Sequence, residues 1–394
     1  MSPARNGAAP VPPLSAPARV LMVAGEASGD LHGADLLHAL RARVPALEAF
    51  GIGGGGLRAA GMQTLADASE VAAVGLIEGA SHLRTLVRLY RTLARRLRED
   101  PPDLCILIDF PEFNLRIARA AKQAGVPVLY YIGPQVWAWR RGRVRTIARR
   151  VDRLAVVFPF EPELYAGQPC AVEFVGHPLL DRVVVTRGRE ATLAAHGLAL
   201  DRPLILLLPG SRRKEIEYIL PTMLDAARHL EDGRRQFVLG LAPTVSRADV
   251  EAIVRKHGVA LVIVEGDTYE LMAAAEVALV ASGTATLECA LLGCPMVVIY
   301  RLARITYAVG RILIRGVRYI AMPNIVAGDM IVPELLQGAA TPDAVAAAAR
   351  DILETPGRRA AMVTALQAVR ARLGRGGAAA RAAEIATEML AERG

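Results

Sequence analysis

Lysine is almost missing from this 394-residue chain: of its 47 basic residues only Lys122, Lys214 and Lys256 are lysines. Such an arginine skew often reflects base composition, so the net charge of +8 is weak support for a nucleic-acid partner, and none is expected. The same charge suits an anionic membrane surface or phosphorylated substrates. Cysteine is scarce too. Cys105, Cys170, Cys289 and Cys294 are irregularly spaced with no paired C-x-x-C sets, which argues against structural zinc. Most sit in apolar runs and read as small buried hydrophobes in a reducing cytoplasm. No run of about 18 uncharged apolar residues exists, so no spanning helix is expected. Glu288 and Pro295 interrupt the most apolar stretch, 277–300. The Pro- and Ala-rich first eighteen residues lack a long apolar core and read as a loose tail, not a secretory signal. Also absent are a Walker loop and a metal-carrying D-x-D pair, and the glycine run 51–56 does not fit the dinucleotide fingerprint because no earlier strand-turn carries G-x-G-x-x-G, so neither a cofactor nor a metal is expected.

What is present is globular. A hydrophobic share of 53% against 22% charged residues excludes a disordered chain. At about 150 residues per domain the length suggests two or three domains. Short apolar runs alternate with amphipathic helical patterns. Strands are expected at 19–24, 48–52, 103–109, 127–132 and 153–158, then at 203–208, 235–241, 260–264, 276–280 and 295–300. This alternation argues for an α/β fold of parallel sheets with helices on both faces. The pattern restarts near 203, so two Rossmann-like domains facing a cleft are expected, over 19–185 and 186–340. Residues 341–394 are strand-free and read as C-terminal helices packing back on the first domain or on the partner of a homodimer.

In such sheets ligands bind beyond the carboxyl ends of strands, and the residues there are the ones that can carry chemistry. After the first strand comes Ala24-Gly25-Glu26-Ala27-Ser28-Gly29-Asp30, either a well-capped turn or a rim presenting Glu26, Ser28 and Asp30. The run Gly53 to Gly56 permits close backbone approach or simply a flexible loop. The apolar run 104–108 ends in Asp109, where partial desolvation suits a carboxylate to general-base work; alternatively it caps the next helix. Trp137 and Trp139 stand beside Arg140, Arg141, Arg143 and Arg145 and can serve sugar stacking, a lipid headgroup or phosphate. Gly210-Ser211-Arg212 opens a helix whose N–H groups and guanidinium can hold a phosphate. Ser282-Gly283-Thr284 offers a second anion site, and Glu288 one turn later is placed for ribose hydroxyls. Two anion sites on one sheet describe a nucleotide diphosphate pocket.

Together these motifs resemble the lipid-A-disaccharide synthases, bacterial inverting glycosyltransferases of the two-Rossmann-domain (GT-B) type. The resemblance rests on AGEASGD (24–30), LIDFPEFN (107–114), QVWAWR (135–140), FVGHPLLD (174–181), LLPGSRRKEI (207–216), ASGTATLECALLGCPMVV (281–298) and MPNIVAG (322–328). It implies transfer from UDP-2,3-diacylglucosamine to 2,3-diacylglucosamine 1-phosphate (lipid X) by a peripheral protein on the cytoplasmic face of the inner membrane. It also implies Asp109 as base, Arg212 and Asn324 in the UDP-sugar site, and Glu26, Ser28 and Asp30 in the active cleft. Glu112 stands where some members carry Asp. Rival readings are another UDP-N-acetylglucosamine transferase or epimerase of the same fold, and a non-catalytic nucleotide-sugar or membrane-binding protein. For the acyl chains, 71–77 and the basic amphipathic pattern 83–98 are candidates, with 301–320 weaker; an ordinary helix packed on the sheet is the preferred reading of 83–98.

Overall fold

The structure, a computed structural model, describes residues 17–68, 80–137, 141–301 and 318–393. It divides into two units, one running to Pro178 and resuming at Arg375, the other spanning Leu179–Gly374.

Unit 1 is built on strands β1 (Ala18–Ala24), β2 (Leu47–Gly53), β3 (Gln63–Asp67), β4 (Leu104–Ile108), β5 (Val128–Tyr131), β6 (Arg153–Val156) and β7 (Ala171–Phe174). Their order is β3-β2-β1-β4-β5-β6-β7, parallel at every pairing. β4 and β5 are buried along their whole length, as central strands covered on both faces must be. Its principal helices before Pro178 are α1 (Ala27–Arg43), α2 (Gly55–Ala59), α3 (Ala80–Glu99) and α4 (Pro111–Gln123). The strand order reverses between β1 and β4, where Ala24 lies level with Ile108.

Unit 2 repeats the design with β8 (Leu204–Leu208), β9 (Gln236–Leu241), β10 (Val262–Glu265), β11 (Val277–Ala281), β12 (Met296–Tyr300) and β13 (Glu334–Leu336). The order β10-β9-β8-β11-β12-β13 is again parallel throughout and reverses between β8 and β11. Helices α5 (Arg213–Leu230), α6 (Thr284–Leu291), α7 (Pro342–Glu354) and α8 (Arg358–Arg372) belong to it.

All ten expected strands are present. The three that were not expected, β3, β7 and β13, are edge strands. Each is short and only partly buried, so none carries the continuous apolar run that marks a central strand. The C-terminal helices also divide differently from the single block expected over 341–394. Arg350 Nη2 of α7 donates to the His229 carbonyl (2.8 Å), and Arg370 Nη1 of α8 to the Leu291 carbonyl (2.8 Å), so both helices lie in unit 2. Left-handed glycines at 374 and 377 then turn the chain. Only α9 (Ala378–Ala391) returns to unit 1. Ala378, Ala382, Ala383 and Ala386 are fully buried there, Glu384 pairs with Arg43, and Arg381 Nε donates to the Val175 carbonyl at 2.8 Å. All four cysteines are buried. Among the described residues no helix is long and apolar enough to cross a membrane.

Candidate active site

Crevices in open parallel sheets form at the carboxyl ends of the strands flanking the reversal. In unit 1 those ends are Gly25-Glu26 after β1 and Asp109 after β4. A Cβ on Gly25 would lie 2.5 Å from the Phe110 ring, so only glycine lets the two loops meet. Asp109 and Phe110 are consecutive left-handed residues (φ 48° and 49°), a conformation that side chains with a Cβ resist. Burial, and then the Glu26 charge, push the Asp109 carboxyl up to about 6, against the opposing pull of the Phe110 N–H. Glu26 is exposed at the start of α1, where its side chain caps no backbone group, and Ser28 is exposed in the first turn. Glu26, Ser28 and Asp109 thus share one switch point.

Asp30 is different. It is buried, and its carboxylate accepts the N–H groups of Gly54 (2.6 Å), Gly56 (2.7 Å) and Leu57 (3.0 Å). The residue expected on the catalytic rim is therefore a cap that fastens α2 to α1. The glycines it touches follow from this: a Cβ on Gly54 or Gly56 would stand 2.8 or 2.9 Å from Asp30 Oδ2. They make room for a carboxylate of the chain itself, which neither ligand approach nor loop flexibility requires. Asp30→Ala leaves three backbone donors without that acceptor, and a stability loss of about 2–4 kcal/mol is expected. Chemical denaturation checks this; an unchanged midpoint together with lost turnover would return Asp30 to the catalytic set.

The remaining unit 1 candidates are also engaged. Arg143 donates to both oxygens of Glu112, at 2.7 and 3.2 Å. Trp137 is buried edge-on against Phe158 (5.7 Å) and Phe160 (5.3 Å), as core and not as a stacking platform. Trp139, Arg140 and 71–77 lie outside the described residues, as does most of 301–320.

In unit 2 the reversal places Gly210-Ser211-Arg212 after β8 and Ser282-Gly283-Thr284 after β11. The first loop is already capped. Glu215 Oε2 accepts the N–H groups of Ser211 (3.0 Å) and Arg212 (3.3 Å), and Gly210 (φ 114°) leaves the space it occupies. Two N–H groups expected to hold phosphate thus point at the chain's own carboxylate. The Arg212 side chain is 77% exposed, touching Glu215 Oε1 at 3.3 Å. The second loop is open: α6 has no side-chain cap, and Gly283 and Thr284 are exposed at its start. One turn on, Glu288 is half-buried, which pushes its carboxyl above the usual range, and the Tyr269 hydroxyl donates to Oε1 at 3.3 Å. Tyr269 carries no motif; it reaches Glu288 from the first turn of the short helix Thr268–Ala274 after β10.

Asn324 does not join this group. It is fully buried. Its Oδ1 accepts the N–H groups of Ile331 (2.8 Å) and Val332 (3.0 Å), and its Nδ2 donates to the Val332 carbonyl (2.9 Å) and Glu334 Oε1 (2.7 Å). With every hydrogen-bonding position used inside unit 2, it has no capacity left for a UDP-sugar.

A family model described as lipid-A-disaccharide synthetase matches residues 20–388. The lipid-A-disaccharide synthase of Geobacter metallireducens is 47% identical over 377 residues, 95% of this chain and 98% of that one. That of Syntrophus aciditrophicus is 48% identical over 374 residues, covering 94% and 97%. Among solved structures, a UDP-GlcNAc 2-epimerase from Neisseria meningitidis bound to UDP-GlcNAc aligns with a TM-score of 0.60 at 13% identity, over 95% of this chain and all of that one. Acinetobacter baumannii MurG aligns with a TM-score of 0.58 at 14% identity, over 94% and 100%. At such identities these two share the fold alone, so the epimerase and UDP-N-acetylglucosamine transferase readings are not favoured. Sequence identity over nearly the whole length, two parallel sheets and candidate residues at both reversals agree: the chain belongs to the lipid-A-disaccharide synthase family, glycosyltransferases of lipid A biosynthesis.

Proposed function

We propose that the chain joins UDP-2,3-diacylglucosamine to lipid X, releasing UDP and forming lipid A disaccharide 1-phosphate with inversion. The observation that carries the proposal is Asp109, a partly desolvated carboxylate at the reversal of the unit 1 sheet. Above about pH 6 it is ionised and takes the proton of the acceptor hydroxyl as that oxygen attacks the anomeric carbon. The bond to UDP breaks as the new bond forms, through an oxocarbenium-like state. The departing diphosphate charge falls to Arg212 and to the open N–H groups at the start of α6, and Glu288 holds ribose hydroxyls. Incubating purified protein with UDP-2,3-diacylglucosamine and lipid X, followed by mass spectrometry, is the direct test. Disaccharide 1-phosphate is the expected product; equal turnover of unacylated UDP-N-acetylglucosamine would overturn the assignment.

The same reading places the protein on an anionic lipid surface, the cytoplasmic face of the inner membrane. Helix α3 supports this through charge. Its Leu89, Leu93 and Leu97 are buried in the unit 1 core. Arg84, Arg88, Arg91, Arg95 and Arg98 line an open groove of about 790 Å³ on its outer side. With the leucines used for packing, attraction to anionic headgroups is left as the main force, and it is screened by salt. Sedimentation with vesicles should show binding to anionic lipid that weakens as salt rises. Equal binding to neutral vesicles would remove α3 from the membrane surface.

A further inference from the structure

Behind Asp109 stand two side chains from different elements, Asn114 in the first turn of α4 and Tyr130 in β5, both 0% exposed. Asn114 Nδ2 donates to the carbonyls of Asp109 (2.8 Å), Ile108 (3.1 Å) and Val23 (3.3 Å). The Tyr130 hydroxyl donates to the same Asp109 carbonyl at 2.6 Å. The backbone oxygen of the first left-handed residue thus receives two buried donors. Asn114 Oδ1 meets no donor among the described residues. A buried amide oxygen without a donor calls for an explanation, and the bonds made by the other end of the same side chain supply one.

We infer that Asn114 and Tyr130 are positioning residues: by holding the Asp109 carbonyl they keep residue 109 in its left-handed conformation and so aim its carboxylate at the acceptor hydroxyl. This rests on the reading of Asp109 as the base. The carbonyl and the carboxylate leave the same residue, so a rotation that relieves its backbone swings the carboxylate as well. Left-handed backbone at a residue with a Cβ persists only where its surroundings over-determine it, and these two donors are the observed restraint. Tyr130 must keep its proton to donate, and burial together with the nearby Asp109 charge pushes its hydroxyl far above the ordinary tyrosine value. The titratable groups facing this corner are Glu26 at the start of α1, Tyr130 in β5, Tyr165 near Tyr130, and Glu112 in α4, the last paired with Arg143.

Tyr130→Phe removes one oxygen from a buried ring. Its kinetics with UDP-2,3-diacylglucosamine and lipid X are to be followed from about pH 5 to 9, beside thermal unfolding. The expected result is a kcat lower by about 10-fold or more, KM values within about twofold of the parent, and an acid limb that moves below its starting position near 6 as the carboxylate turns toward water. Asn114→Ala should show the same shift with a larger loss of kcat. A parental kcat and acid limb in Tyr130→Phe would overturn the inference. So would a lowered melting temperature with an unmoved acid limb, which would make the hydroxyl a packing partner only. Full turnover by Asp109→Asn would instead sink the base assignment. An inactive Asp109→Asn beside a parental Tyr130→Phe would sink the positioning role alone.

Discussion

Asp109→Asn lowers kcat by about 10²–10⁴-fold while UDP binding persists, because a neutral amide fills the same space but cannot take a proton. The second expectation for this substitution concerns stability and runs the other way. An acid whose folded pKa (about 6) lies above its ordinary 3.8 holds its proton more tightly in the folded chain. Stability therefore declines as pH rises from about 4 to about 6, and stays at the lower level beyond. Asparagine has no proton to lose and tolerates left-handed backbone. The variant should thus unfold at a higher temperature than the parent above about pH 6, by a difference on the order of 1–3 kcal/mol, and at a similar temperature below about pH 4. Arg212→Ala serves as the contrast, since the weakness there should fall on UDP-sugar use. Isothermal titration with UDP, single-turnover kinetics and melting curves at two pH values check the set. Near-parental turnover by Asp109→Asn would remove its role as base, whatever its melting curve.

Asn324→Ala is expected to damage the fold of unit 2 before it changes any kinetic constant. The substitution strands the Ile331 and Val332 N–H groups and removes the donor to the Val332 carbonyl and Glu334. Glu334 in turn accepts the N–H groups of Ile320 and Ala321, so the amide ties two loops to the start of β13. Losing several buried partners at once should reduce stability by about 3–5 kcal/mol. Urea unfolding followed by tryptophan fluorescence does not report on this region, because both tryptophans lie in the first half of the chain. Hydrogen exchange at Ile331 and Val332 does. Parental protection there combined with a raised KM for UDP-sugar would restore Asn324 to the donor site.

The legible part of this protein is the part that burial writes into composition. Central strands such as β4 (Leu104–Ile108) and β8 (Leu204–Leu208) are covered on both faces, so their residues are apolar without interruption. The polar residue that ends such a run marks a strand end, and Asp109 is visible for that reason. Edge strands β3, β7 and β13 leave no such trace, because one side meets solvent or a loop. Glycines were visible as a run, but their purpose was not. Gly54 and Gly56 answer to the Asp30 carboxylate, which sits 24 and 26 residues earlier in the chain.

The sequence by itself determined the α/β class, the two-sheet layout, ten of the strands and the family, since these follow from local apolar patterning and from motifs contiguous in the chain. Only the tertiary structure decided which polar residues of those motifs stay available for chemistry. Asp30 is consumed by backbone N–H groups and Asn324 by backbone groups and Glu334, while Glu26, Asp109, Arg212 and the start of α6 keep capacity for a ligand. Tyr130, Asn114 and Tyr269 acquire their places only when separate strands and helices converge. A carboxylate or an amide reads the same in a sequence whether it faces a ligand or a distant N–H. The difference is made by hydrogen-bond partners remote in the chain, which no local pattern records.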